Sequence, residues 1–581
     1  MSKRVLIANR GEIAVRIIRA CRDLGFPPLA VYGPGDEDAM HVRMADEAYR
    51  IESDRPIPYL DIAALITIAR RSGARLVHPG YGFLAENAGF AQACADAGLV
   101  FVGPPAAAIA TMGDKVAARA AAVAAGVPIL PGTTAPVPDA ASARQWADGA
   151  GYPVVLKAAA GGGGRGFRVA ERAEDLDGAF ASATSEAERS FGDGRLYAER
   201  FLARPRHVEV QIFADSGGTT IAIGDRDCSI QRRHQKLIEE SPAPNVPERV
   251  REQMAEASIR LAKGVGYVGA GTLEFLVEPD GRFWFLEMNT RIQVEHTVTE
   301  EVFGVDLVRE QLLAAMGEPL SIPAHAEVRG HAIQCRINAE DPGNNFAPAP
   351  GLVTRFVPPL GPGIRVDTAA ESGAVISDRY DSMIAKLIAT GPTRDSAIAR
   401  MRRALDEIVV EGVPSTIPLH RNVMASDAFQ RAVLSTSFLV DVADVVPAPV
   451  SAQPELPETE PWSERVIEVN GRRFQVRVPG AAPNGTAKAS ARPKRTARPR
   501  STNGPVGGPR FASPIQGSVL RVHKAVGDAV AAGDPVMVVE AMKMENELRA
   551  QRDGVVTEIP VSVGASVKVG DHLFTIDNSE L

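Results

Sequence analysis

Two glutamates, Glu274 and Glu287, flank a Pro-Asp-Gly turn in the stretch AGTLEFLVEPDGRFWFLEMN. If Asp280-Gly281 is a two-residue turn, their carboxylates stand opposite each other on paired strands, and Asn289 points to the same face. Like charges so placed repel. A pair of hard cations would relieve them, and Mg²⁺ favours carboxylates together with phosphate oxygens. The alternative is an exposed acidic sheet face. The otherwise apolar hairpin (Leu273, Phe275, Leu276, Phe283, Trp284, Phe285) argues against that, and the register is provisional because Pro279 cannot donate in the closing pair. The hairpin runs straight into NTRIQVEHTVTEE, where Arg291, Gln293 and Glu295 alternate and so are expected to share one face. A guanidinium beside a carboxylate can hold a small anion such as bicarbonate and remove its proton. DRDCSIQRRHQK adds Gln231, His234 and Lys236, and CRINAEDP adds Arg336.

Two further features carry chemistry. In PVVLKAAAGGGGRGF, four glycines, Gly161 to Gly164, follow a strand bearing Lys157. Glycine lets backbone N–H groups approach phosphate oxygens closely, and Lys157 can neutralise their charge. The loop is not GxxxxGK[ST], and a glycine run alone is equally consistent with a mobile surface loop. Near the C-terminus, EAMKMENE sets Lys543 between Met542 and Met544. A lone lysine is ordinarily a solvated surface charge.

The elements that must position these residues fall into four textures. Over the first 110 residues, short apolar strands (KRVLIA, RLVHPG, LVFVGP) alternate with helical spacing (GEIAVRIIRACRDLG), which predicts an open, mostly parallel α/β domain. No GxGxxG follows the first strand, so this is not a dinucleotide fingerprint. From about 111, GDKVAARAAAVAAGVPIL reads as an alanine-rich helix leading into a strand; LYAERFL and RHVEVQIFAD read as further strands. A mixed α+β region continues to 446, and VIEVNGRRFQVRVP reads as a small hairpin around Asn470-Gly471. Residues 481–510 carry seven Lys/Arg and no Asp or Glu, with almost nothing to bury, and read as a disordered linker or a basic docking segment.

The last 70 residues repeat themselves. GSVLRVHKAVGDAVAAGD from Gly517 and GVVTEIPVSVGASVKVGD from Gly554 share glycine spacings, at 527 and 533 and again at 564 and 570, 37 residues apart. Two such copies predict a small β barrel or sandwich with a pseudo-twofold axis, with EAMKMENE as the hairpin turn between them. An exposed lysine on such a tip suits covalent attachment.

Composition sets the frame. The chain has 581 residues, 45% hydrophobic and 23% charged, enough for roughly three to five domains. The net charge of −7 gives no general affinity for nucleic acid. No apolar run approaches the roughly 18 residues of a membrane span, and the N-terminus lacks a signal-peptide core. Four dispersed cysteines (Cys21, Cys94, Cys228, Cys335) form no CxxC and fit a reducing cytoplasm.

Taken together, ANRGEIAVRII, HPGYGFLAEN, MGDKVAA, KAAAGGGGRGF, RDCSIQRRHQK, EFLVE…FLEMNTRIQVEH and CRINAEDP resemble biotin carboxylase of the ATP-grasp superfamily, in the family's order over residues 1 to about 446. Residues 511 to 577 resemble a biotinyl carrier domain with the signature EAMKMEN. The whole resembles the α subunit of an acetyl-/propionyl-CoA type acyl-CoA carboxylase. The resemblance implies a Rossmann-like domain (1–112), an ATP-grasp domain (113–318) with a lid (about 131–203) and a mixed α+β carboxylase domain (319–446). A small hairpin (447–480), the linker (481–510) and an all-β, flattened-barrel or hammerhead carrier (511–578) would follow.

It also implies roles. Lys115 and Lys157 would contact ATP phosphates, under a lid loop containing Gly163 and Gly164. Glu199, Arg200, Phe201 and Leu202 would line the adenine pocket, and His207, Gln231 and His234 would complete the nucleotide site. Glu274, Glu287 and Asn289 would bind Mg²⁺ or Mn²⁺. Lys236, Arg291, Gln293 and the Val294 backbone would hold bicarbonate. Glu295 would be the base, Arg336 would stabilise the biotin enolate, and Lys543 would carry biotin. Ala160 stands where the family often extends the glycine run, and Arg200 where a lysine is common. The shortened 447–480 segment leaves the docking mode undefined. The implied partners are a carboxyltransferase β subunit, since no such domain is seen here, and a biotin protein ligase, within a homo- or hetero-oligomeric complex. A linker of some 30 residues would span roughly 30 Å on average and at most about 100 Å. Competing readings are another ATP-grasp carboxylate–amine ligase, a scaffold with a dead ATP-grasp domain, and a lipoyl carrier. EAMKMEN opposes the first and last, and the complete set of expected metal and bicarbonate residues opposes the second.

Overall fold

The computed structural model describes residues 3–133, 135–159, 167–233, 235–323, 326–449, 462–469, 472–479, 510–514, 517–541, 544–568 and 570–577. Ala160, Gly163, Gly164, His234, Met542 and Lys543 lie outside the described residues, as does all of the basic segment but Arg510.

Alternating strand and helix signals build the expected parallel sheet. Strands β1 (Val5–Ile7), β2 (Pro28–Tyr32), β3 (Glu47–Arg50), β4 (Leu76–His78) and β5 (Val100–Phe101) lie in the order β3-β2-β1-β4-β5, all parallel. The strand order reverses at β1, so the loops following β1 and β4 meet at the carboxyl edge, where open α/β sheets place functional groups. Asn9 holds them together by donating to the carbonyls of Pro79 and Tyr81 at 2.7 and 2.8 Å. This presents Glu86, in the loop after β4, to the next domain.

Helix α1 (Lys115–Ala124) is capped by Asp114. The segment after it makes only an isolated bridge from Ile129 to Phe285 rather than the expected strand. Strands β6 (Val154–Ala158), β7 (Phe167–Ala170) and β8 (Leu196–Arg200) form a small sheet in the order β7-β6-β8. An eight-stranded sheet then runs on through both following regions. It comprises β9 (Arg206–Ala214), β10 (Thr220–Arg232), β11 (Gln235–Ser241), β12 (Gly269–Val277), β13 (Phe283–Asn289), β14 (His331–Asn338), β15 (Ile364–Thr368) and β16 (Met383–Gly391). Their order is β13-β12-β9-β10-β11-β14-β16-β15. Helix α2 (His296–Phe303) follows β13 after a short loop and packs on β10 and β14.

The hairpin of β12 and β13 departs from the expected turn. Glu278 and Arg282 close a three-residue loop, Pro279-Asp280-Gly281, which keeps the proline, with no N–H to give, out of the ladder. A bulge between Glu274 and Phe275 then restores the register, so Glu274 still pairs with Glu287 and Thr272 with Asn289.

Strands β17 (Trp462–Val469) and β18 (Arg472–Pro479) pair antiparallel with Val469 opposite Arg472, and the expected turn at Asn470-Gly471 lies outside the described residues. The carrier is two four-stranded sheets, built from β19 (Arg510–Ala512), β20 (Gly517–Val522), β21 (Ala529–Val530), β22 (Pro535–Ala541), β23 (Met544–Arg549), β24 (Gly554–Glu558), β25 (Ser566–Val567) and β26 (His572–Asp577). The orders β19-β26-β24-β21 and β23-β22-β20-β25 are images of each other. Gly527 and Gly564 take left-handed φ values of +101° and +89°. Gly527 N–H donates to Val556 O and Gly564 N–H to Val519 O, both at 2.7 Å, as a pseudo-twofold demands. Ala541 pairs with Met544 across β22 and β23, and the expected turn residues Met542 and Lys543 lie outside the described residues.

Candidate active site

The site grows from three adjacent strands. Glu209 on β9 is the register partner of Glu274 on β12, which is the partner of Glu287 on β13. Three carboxylates therefore lie in a row, an arrangement a sheet tolerates only with counter-charges. Lys236 supplies the first. β10 and β11 form a hairpin in which Arg232 pairs with Gln235 and Gln231 with Lys236. This aims the Lys236 ammonium at Glu209 (2.5 Å), Glu274 (2.7 Å) and Glu295 (2.7 Å), with the Gln293 side-chain oxygen at 3.4 Å. Burial alone would lower the lysine pKa, but the three carboxylates outweigh it and hold it well above its ordinary value. Burial pushes the Glu274 carboxyl up; Lys236, then His207 at 2.8 Å, overcome this and hold it well below the usual range.

Glu295 is the residue at the N-cap of α2, yet its carboxylate makes no cap bond. It is bound by Lys236 and, at 3.1 Å, by Arg336, whose Nε donates to Glu239 at 2.5 Å. Burial works against the Glu295 anion, and Lys236, Arg336 and Arg226 together overcome it. The structure brings Gln293 and Glu295 together at Lys236 but not by strand alternation: residues 290–295 are a loop and turn, not a strand. Arg291 turns the other way, to Glu86 (2.9 Å) and the Asn289 side-chain oxygen (2.9 Å).

Glu287 is the open end of the row. Solvent reaches it, and among the described residues it has no hydrogen-bond or ion-pair partner. Its enclosure in the cleft, then Glu274 and Glu86, push its carboxyl up. Glu274 and Asn289 are joined by a 2.8 Å hydrogen bond. This all-oxygen set fits a hard cation, which would relieve the repulsion and draw Glu274 away from Lys236. Two other buried groups, His207–Glu209–Glu274 and Glu209–Cys228–Glu295, also bring ligand atoms together. There the Lys236 ammonium already provides the counter-charge.

On the other wall, Lys157 on β6 donates to Glu199 on β8 at 2.6 Å, and Arg119 on α1 binds the second Glu199 oxygen. Lys115, at the first position of α1, has its pKa lowered by burial and then by Lys157. Two lysines kept close without full compensation suit a polyanion. The N–H groups of Arg200 and Phe201 donate to Pro131 and Pro153, and Leu202 is buried beside them.

Four family profiles match the chain in succession. They are "Biotin carboxylase, N-terminal domain" (residues 1–109), "Carbamoyl-phosphate synthase L chain, ATP binding domain" (114–323), "Biotin carboxylase C-terminal domain" (334–441) and "Biotin-requiring enzyme" (505–576). The "Biotin-dependent acyl-coenzyme A carboxylase alpha3 subunit" of Mycobacterium leprae is 45% identical, over 99% of this chain and 98% of that protein. The chain belongs to the biotin-dependent acyl-CoA carboxylase α-subunit family. "Biotin carboxylase 1" of Bacillus subtilis is 51% identical over 76% of this chain and 98% of its own. The Campylobacter jejuni biotin carboxylase, solved as a β,γ-ATP complex, superposes with a TM-score of 0.74 at 43% identity, over 76% of this chain and 99% of that one. The biotin carboxylase domain of Hydrogenobacter thermophilus 2-oxoglutarate carboxylase gives 0.75 at 44%, over 78% of this chain and 100% of that one; it was solved with MgADP, ADP and bicarbonate. This α subunit is thus an ATP-grasp biotin carboxylase joined to its own carrier domain, and it carries out ATP-dependent carboxylation of biotin.

Several residues of this acyl-CoA carboxylase site escaped the sequence reading: Glu209, Arg226, Glu239, Glu86 and Arg119. One signal was available for Glu209. His207, Glu209 and Gln211 alternate along β9 with Val208, Val210 and Ile212, and all three are buried. Among the described residues no helix is long and apolar enough to cross a membrane.

Proposed function

We propose that this chain uses ATP and bicarbonate to carboxylate biotin held in amide linkage on Lys543, and delivers the carboxyl group to a separate carboxyltransferase subunit acting on an acyl-CoA of the acetyl or propionyl class. The observation that carries this is the Lys236–Glu295–Arg336 arrangement: one carboxylate held between two cations, each with a second acidic partner. Glu295 takes the proton from bicarbonate, and Lys236, Arg291, Gln293 and the Val294 N–H hold the anion. Arg336 holds the ureido oxygen of biotin. Lys115 and Lys157 bind the ATP phosphates, with Gly163 and Gly164 in the closing loop and Glu199 to Leu202, His207, Gln231 and His234 around the nucleotide. Glu274, Glu287 and Asn289 hold Mg²⁺ or Mn²⁺, which offsets charge between the reacting anions. Bound biotin supplies the nucleophilic nitrogen. A closed cleft protects the activated carboxyl group from water.

The acyl-CoA acceptor is supported by the Mycobacterium leprae relative, whose similarity runs the full length of the chain. A biotin protein ligase would load Lys543. In the full-length protein coexpressed with such a ligase, intact mass gains one biotin, and Lys543→Ala does not. Bicarbonate-dependent ADP release with free biotin proceeds in both. Mass gain in Lys543→Ala, or release independent of bicarbonate, overturns the reading.

A further inference from the structure

Lys236 and Arg336 are each held by carboxylates that the proposed reaction must disturb. Glu295 loses its charge when it accepts a proton, which loosens its grip on both cations at once. A cation held by Glu274 and Glu287 would compete with Lys236 for Glu274, its second partner. One carboxylate then remains to each cation: Glu209 for Lys236 at 2.5 Å and Glu239 for Arg336 at 2.5 Å. Neither has any other part in the chemistry. Each can hold its cation in place only if it is itself fixed.

Both are fixed by dedicated donors, and both donors are keyed to the helix that carries the base. Arg226, fully buried, donates from Nε to the free oxygen of Glu209 at 2.5 Å. Its remaining nitrogens go to Gln211 (2.7 Å), Thr272 (3.1 Å) and Thr299 (2.9 Å). Gln334, also fully buried, donates to the free oxygen of Glu239 at 2.9 Å and accepts from the Thr297 hydroxyl at 2.5 Å. Thr297 and Thr299 are the second and fourth residues of α2, whose N-cap is Glu295. Positions two apart on a helix lie on opposite sides. One therefore reaches β14, which bears Gln334 and Arg336, and the other reaches β10, which bears Arg226. The helix that sets Glu295 also sets the two outer carboxylates on either side of it.

We propose that Arg226 and Gln334 are positioning residues that lock Glu209 and Glu239, so that Lys236 stays aimed at bicarbonate and Arg336 at biotin while Glu295 takes the proton. This rests on the functional reading above. It divides the labour: the Arg226 arm serves the anion and the Gln334 arm serves the acceptor. Buried, charge-assisted bonds of this kind are the ones whose geometry most affects the group they orient.

The test is steady-state ADP release by the full-length chain, with ATP, bicarbonate and free biotin each varied in turn. Wild type must need both bicarbonate and biotin; failure there removes the functional reading itself. Arg226→Lys and the milder Thr299→Val are expected to raise the bicarbonate KM about tenfold, the size of one lost hydrogen bond to a charged group. Their biotin and ATP KM values stay within about twofold of wild type. Gln334→Met and Thr297→Val show the converse, raising the biotin KM and sparing bicarbonate. The threonine variants keep the test open if the larger substitutions fail to fold. A merely structural role would move all three KM values together, or lower kcat in step with the melting temperature. Either pattern, or no change in any variant, overturns the proposal.

Discussion

Glu287 stands directly opposite Glu274 across β12 and β13, and among the described residues Glu274 alone of the two is ion-paired. The pair stores repulsion that a cation would release. In Glu287→Gln, the melting temperature without metal should rise, by the equivalent of roughly 1 kcal/mol for removing a like-charge pair. Its further rise with Mg²⁺ should disappear, and ADP release should collapse. The readout is thermal melting with and without Mg²⁺; an Mg²⁺ shift as large as that of wild type would remove the metal assignment.

Among the described residues, Lys236 is the one cation that touches Glu209, Glu274 and Glu295 together. Lys236→Met leaves three buried carboxylates short of a charge, and breaking a buried pair costs about 3–5 kcal/mol. The pH dependence has a definite sign. Lys236 is the largest charge opposing the burial of Glu274 and Glu295, so without it both carboxyls titrate higher than in wild type, and the variant gains stability relative to wild type as pH falls from 8 toward 5. Melting of both proteins across that range checks this; a difference that does not narrow at low pH excludes it.

The Glu274–Glu287 opposition was legible because a Pro-Asp-Gly turn and strand alternation nearly fix a register. They fixed it only through compensation. The three-residue loop shifts the pairing by one, and the bulge beside Glu274 shifts it back. A bulge leaves no mark in an apolar run such as FWFL. The carrier symmetry was legible because its turns need glycine at defined backbone angles. Arg226 and Gln334 were not legible, since their partners come from β9, β11 and α2, far apart in sequence, and buried polar networks have no period. Arg291, Gln293 and Glu295 alternate on paper, but the chain bends after Asn289. Only proximity in space shows that Arg291 is bonded to Glu86 and Asn289 rather than to Glu295.

Gly517 lies where β20 runs against β22, and a Cβ there would meet the Glu540 carbonyl oxygen at 2.2 Å. Backbone cannot yield as a side chain can. Gly517→Ala should therefore distort β22, the strand that precedes Lys543, and lower the biotin load, while ADP release with free biotin persists. Gly527→Ala meets open space and carries only the strain of a left-handed φ, so it should load nearly normally. Intact mass after coexpression with a biotin ligase compares them; equal loading would show that the close approach is not needed.

Glu12 offers a pH-dependent test away from the catalytic carboxylates. It is buried beneath the parallel sheet's edge, bonded by Tyr81 and with the Lys386 ammonium at 3.0 Å. Burial pushes its carboxyl up to about 7, against the pull of Lys386. A carboxyl raised on folding binds its proton more tightly in the native state, so its contribution is fully present below about pH 4.5 and is lost as pH rises through about 7. The shift corresponds to about 3 kcal/mol at most between those limits. Carboxyls with lowered values, such as Asp36, act in the opposite direction and at lower pH, so they leave this window clear. Wild type should therefore lose stability relative to Glu12→Gln between pH 5 and 8, whatever the offset between the two at pH 5. Melting temperatures of both proteins, taken in half-unit steps, give the difference directly. Parallel curves would mean that Glu12 stays ionised in the fold, held by Lys386 strongly enough to cancel the cost of burial.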